Sequence, residues 1–95
     1  MRLSDKYIST IKEKFNEVFH TGEIYLFGSR LDDSKKGGDI DLYLKLINKD
    51  NLLDKKLKFL AKIKKDLGEQ KIDIVFNEDE SRLIEQEAIK WGKKL

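Results

Sequence analysis

Glu23-Ile24-Tyr25-Leu26-Phe27-Gly28-Ser29-Arg30 and, after the polar stretch Leu31 to Gly38, Asp39-Ile40-Asp41-Leu42-Tyr43-Leu44-Lys45-Leu46 decide how this chain folds. The first run is a short apolar strand that ends at a glycine. The second alternates polar or aromatic residues with aliphatic ones, the period-two pattern of a strand with one buried face. Asp39 and Asp41 stand two apart, so both side chains point to one side of that strand. Ile40, Leu42 and Leu44 point to the other.

Outward from this pair, the period changes to that of helices. Between Ser4 and about Phe19 the apolar residues are Tyr7, Ile8, Ile11, Phe15, Val18 and Phe19. Their steps of three and four predict one buried helical face, with Ser4 as N-cap and Thr21-Gly22 as the stop. Asp50 is expected to cap a second helix, with Leu53, Leu57, Leu60, Ile63 and Leu67 inward and Gly68 at its end. Lys71 to Phe76 predicts a third strand. Asn77 to about Lys93 predicts a last helix with Leu83, Ile84, Ala88 and Trp91 as its apolar stripe.

The order is helix, strand, turn, strand, helix, strand, helix. It predicts an α/β fold in which a small mixed three-stranded sheet packs with helices, as one domain over residues 1–95. A helix joins the second and third strands, so they should run parallel through a right-handed crossover.

Composition narrows the chemistry. The chain has no Cys and a single His, which excludes disulfides and thiolate or His-rich metal sites. Any metal must be held by oxygen, which points to magnesium or manganese. Hydrophobic residues make up 39% and charged residues 40%, but the apolar ones fall in periodic blocks, so disorder is not expected. No apolar run approaches the ~20 residues that span a bilayer. Met1-Arg2-Leu3-Ser4-Asp5 carries no signal-peptide core, and a cytoplasmic protein with no membrane partner is expected. Net charge is +2, from 20 basic and 18 acidic residues, which argues against nucleic acid as a direct partner. Lys55, Lys56, Lys58, Lys62, Lys64 and Lys65 read as the wet face of the second helix. His20 reads as a capping residue at the end of the first, and Trp91 as core or interface.

The polar residues converge. If the second and third strands are parallel, their N-terminal ends lie side by side. Asp39, Asp41 and Asp73, the last flanked by Ile72 and Ile74, then share one patch a strand spacing apart. Three close carboxylates raise one another's pKa, a cost that a bound cation relieves. Two magnesium ions could stabilise both the attacking and the leaving oxygen of an in-line displacement. Gly28-Ser29-Arg30 ends the first strand. A turn there offers backbone N–H groups, a hydroxyl and a guanidinium to a phosphate. If the first strand is antiparallel to the second, Gly28 lies near Asp39.

Gly28-Ser29, nine intervening residues, Asp39-Ile40-Asp41 and the isolated Asp73 together resemble the nucleotidyltransferase signature of the DNA polymerase β superfamily. At this length the chain resembles its minimal nucleotidyltransferases (MNT proteins), and the likeness covers all of it. Many relatives have ten residues between the serine and the first aspartate, so the loop here differs in length. The resemblance implies a polymerase β-like palm. Gly28 and Ser29 would bind the triphosphate, with Arg30 a phosphate contact by position. Asp39 and Asp41 would ligate the nucleotide metal, and Asp73 would complete a second magnesium site and help deprotonate the acceptor.

Many small members of the family are encoded beside an all-helical HEPN-type ribonuclease toxin. The MNT protein acts as antitoxin by transferring AMP from ATP to a tyrosine of that partner. The resemblance therefore implies a nucleoside triphosphate and a co-encoded HEPN-type protein as partners, in a hetero-oligomer. Two other readings stand beside it: an antitoxin that works by occlusion alone, and transfer to a small molecule or RNA end with a second subunit supplying the acceptor site.

Overall fold

The computed structural model describes residues 4–28 and 40–95. In chain order the elements are α1 (Asp5–Phe19), β1 (Glu23–Phe27), β2 (Ile40–Lys45), α2 (Leu52–Leu67), β3 (Ile72–Phe76), α3 (Leu83–Trp91) and β4 (Lys93–Lys94). They build a mixed sheet in the order β3-β2-β1-β4. β1 runs antiparallel to β2 and β4, and β2 runs parallel to β3. The crossover through α2 thus gives the expected parallel pair.

α1 follows its sequence pattern closely. The Ser4 hydroxyl accepts from the Tyr7 N–H at 3.2 Å, satisfying one of the donors left over at a helix start. Ile11, Phe15, Val18 and Phe19 are buried, and His20 closes the helix with φ 67° and its N–H donating to the Asn16 carbonyl.

The sheet has four strands rather than the expected three. The last is a two-residue strand in which Lys94 pairs with Tyr25 and Lys93 with Leu26. Two lysines show no periodicity, so only backbone pairing reveals them as a strand.

One sheet face is wholly apolar. Ile24, Leu26, Ile40, Leu42, Leu44 and Leu46 pack with α1 and α2 into the main core, and Ile72, Ile74 and Phe76 extend it. α2 docks differently from its expected stripe: Phe59 and Ile63 are the buried residues, while Leu53 and Leu57 are 70% and 58% exposed. α2 carries apolar residues on two flanks, and ring packing selects one. Phe59 meets Phe15 and Phe19 edge-on at 6.3 and 5.7 Å, contacts a leucine stripe could not make. The helix starts at Leu52 after Asn51, not on a capping side chain of Asp50. Its outer lysines pair with acids, Lys58 with Asp54 and Lys62 with Glu17, as expected of a wet face.

The other face is covered by α3. A strand with one buried face was expected for β2, but Tyr43 on this second face is also fully buried. It packs with Phe27 and Ala88. α3 begins at Leu83 instead of Asn77, because residues 77–82 form a loop. The Asn77 amide bonds both the N–H and the carbonyl of Leu46, at 2.8 and 3.1 Å. It thereby continues the β2–β3 pairing one residue further, which holds it out of a helix. The inward residues of α3 are Glu85 and Ala88. Leu83, Ile84 and Trp91, expected inside with Ala88, are 77%, 43% and 66% exposed. The hydroxyl of Tyr43 decides this: a buried phenol needs a polar partner, and a carboxylate took the inward place.

Candidate active site

The alternation along β1, β2 and β3 puts Glu23, Tyr25, Phe27, Asp41, Tyr43, Lys45, Asp73 and Val75 on the α3 side of the sheet. Asp41 pairs with Phe27 on one side and with Asp73 on the other. Neighbouring strands lie about 4.8 Å apart, so the two carboxylates rise side by side from one end of the sheet. Asp41 is half-buried and Asp73 exposed.

Gly28 closes this end. Its φ of 79° is left-handed, and a Cβ there would overlap the Asp41 carboxylate, standing 2.9 Å from Cγ. Only a residue without a side chain lets the β1 terminus lie against Asp41. Among the described residues the side chain that Gly28 meets is Asp41. Asp39, Ser29 and Arg30 lie outside the described residues.

Deeper on the same face is a carboxylate that periodicity did not single out. Glu85 is fully buried. It accepts from the Tyr43 hydroxyl at 2.9 Å and from the N–H groups of Glu78 and Asp79 at 3.0 and 2.8 Å. Arg82 Nε lies 2.9 Å from Glu85 Oε2. It is not aligned for a hydrogen bond, so this contact is an ion pair only. Burial pushes the Glu85 pKa up, but the two backbone donors, the phenol and Arg82 outweigh it and leave it below the ordinary value. The reverse holds for Tyr43, raised by burial and by the Glu85 carboxylate it donates to. The legible signal was Tyr43 itself: alternation put it on the aspartate face, where a buried phenol would need an acceptor.

The register sets Asp41 and Asp73 where both could offer oxygens to one divalent cation, and Glu85 lies deeper, against its own donors. Among the described residues no set of three or more His, Asp or Glu is placed to hold a metal. The donor chemistry of Asp41 and Asp73 suits magnesium, which takes few carboxylates and completes its shell with water and phosphate oxygens. A groove of about 340 Å³ lies at the opposite end of the sheet, among Gly22, Glu23, Lys45, Leu46, Ile47 and Asn77. The carboxylate pair, rather than concavity, marks the candidate site. No helix among the described residues is long and apolar enough to cross a membrane.

Compared with protein families, residues 9–95 match the one described as "Polymerase beta, Nucleotidyltransferase". No curated protein and no solved structure matches the chain. Three helices on a four-stranded mixed sheet are consistent with the nucleotidyltransferase fold. The match spans every strand of the sheet, and the chain belongs to the polymerase β nucleotidyltransferase family, whose reaction is nucleotidyl transfer.

Proposed function

We propose that this protein transfers AMP from ATP to a hydroxyl, with magnesium held by Asp41, Asp73 and Asp39, and that the acceptor is a tyrosine of a co-encoded, all-helical HEPN-type protein. The observation that carries the transfer site is the register: Asp41 beside Asp73, with Gly28 against Asp41. The acceptor and the toxin–antitoxin role rest on the resemblance to the minimal nucleotidyltransferases.

In this reading Gly28, Ser29 and Arg30 hold the triphosphate, and the aspartates orient its α-phosphate. The acceptor oxygen attacks the α-phosphorus in line, and the bond to the β-phosphate oxygen breaks. Pyrophosphate leaves, and the acceptor's proton passes to the Asp73 carboxylate. Magnesium, when bound, would neutralise charge on the attacking and leaving oxygens.

The test is incubation with each labelled nucleoside triphosphate, magnesium and the co-encoded partner. Label on a partner tyrosine from ATP is expected. Label on RNA or a small molecule would replace the acceptor but keep the chemistry. No transfer under any condition sinks the enzymatic reading. Neutralisation of the toxin that survives Asp41→Asn would make occlusion the mechanism.

A further inference from the structure

The sole tryptophan of the chain, Trp91, is 66% exposed on the last turn of α3. An indole this open forms no part of the core, and its position in the fold is informative. α3 starts beyond the Phe76 end of β3, where Arg82 reaches the Phe76 carbonyl. It ends against β1: a Cβ on Gly92 would stand 3.2 Å from the Leu26 carbonyl, and Lys93 pairs with Leu26. Trp91 thus sits above the sheet near the β1 terminus that carries Phe27 and Gly28.

Its direction follows from helix geometry. Glu85 and Ala88 mark the inward side of α3. At 100° per residue, Ile84 and Trp91 share one flank and Ile89 takes the other. The crossover from β2 through α2 to β3 is right-handed by the general rule. With α2 on the far face, that hand turns the Ile84–Trp91 flank toward the N-terminal ends of β2 and β3, where Asp41 and Asp73 stand. The Lys90 ammonium lies 5.0 Å from the indole centroid, over one face of the ring. The other face makes no ring contact among the described residues.

We infer that Trp91 is the platform on which the base of the bound nucleoside triphosphate stacks, an assignment that rests on the nucleotidyl-transfer reading of the same site. The carboxylates and the Gly28 turn address only the phosphate end of a nucleotide. A flat, exposed π-surface on the same face, at the same end, supplies what a base requires. Base–aromatic stacking tolerates every base, so the selection of one base must come from elsewhere.

Because Trp91 is the only tryptophan, its fluorescence reports this site alone. With magnesium present, ATP is expected to quench it and inorganic tripolyphosphate is not. Trp91→Ala should weaken ATP binding in equilibrium dialysis about tenfold, and Trp91→Phe should restore most of it. ATP that binds without changing the fluorescence, and equally well to Trp91→Ala, overturns the platform and leaves nucleotidyl transfer standing. If dialysis finds no ATP, GTP, CTP or UTP bound, the nucleotidyl-transfer reading fails and the platform fails with it.

Discussion

The two faces of the sheet obey different rules. The face under α1 and α2 is aliphatic from Ile24 to Leu46, and every inward side chain there serves packing. The face under α3 is mixed. Its middle is a small core of Phe27, Tyr43 and Ala88, and one end carries Asp41 and Asp73. The difference separates two kinds of carboxylate as well. Glu85 is buried with its donors supplied by the protein, which makes it structural. Asp73 stands exposed at the strand start, where a cation and a phosphate can reach it.

The sharpest contrast is between consecutive residues of β2. Asp41→Asn or Asp73→Asn should lower nucleotidyl transfer by about 10²–10³-fold, the usual loss when one electrostatic stabiliser is removed. Thermal melting should stay near wild type. Leu42→Ala, one residue along on the apolar face, should cost about 3 kcal/mol in urea unfolding and leave the activity of the folded fraction intact. Equal effects on stability from both would erase the distinction between the faces.

Glu85→Ala should cost about 3 kcal/mol, because it strands two backbone N–H groups, the Tyr43 hydroxyl and Arg82. Urea denaturation measures this, and a neutral result would show that water replaces the carboxylate. Gly28→Ala should cost about 1–3 kcal/mol from its left-handed φ alone. It should also lower transfer more than it lowers stability, since the new methyl displaces the Asp41 carboxylate. Parallel assays of kcat/KM and melting separate the two.

The smallest effects concern the bond between the phenol and Glu85. Tyr43→Phe should cost about 1 kcal/mol. The pKa of Glu85 is lowered by folding, so between its folded and unfolded values the unfolded chain binds more protons. Its contribution is fully present above an unfolded value of about 4.3 and is lost as pH falls through the folded value. Acid titrations of unfolding free energy should be less steep for Glu85→Gln than for wild type.

Much of this architecture could be read in advance. α1 was legible to its cap, because Ser4 and a clean three-and-four stripe act locally. The strands followed from alternation, and the parallel sense of β2 and β3 from the helical crossover, while the antiparallel pairing of β1 with β2 came from the structure. The α3 region was not legible. A fourth strand of two lysines has no pattern, and the start of α3 depends on Asn77 bonding a residue 31 positions away.

By itself, then, the sequence determined the helices and strands whose hydrophobic period is local, and the face of β2 on which Asp41 stands. Only the tertiary structure decided which flank of α2 and α3 faces inward. That choice depends on ring packing at Phe59 and on the partner Tyr43 needs once buried, contacts between segments far apart in the chain. The same holds for the aspartates. Spacing put Asp41 on its face, but the β2–β3 register set Asp73 beside it and the backbone at Gly28 closed against it.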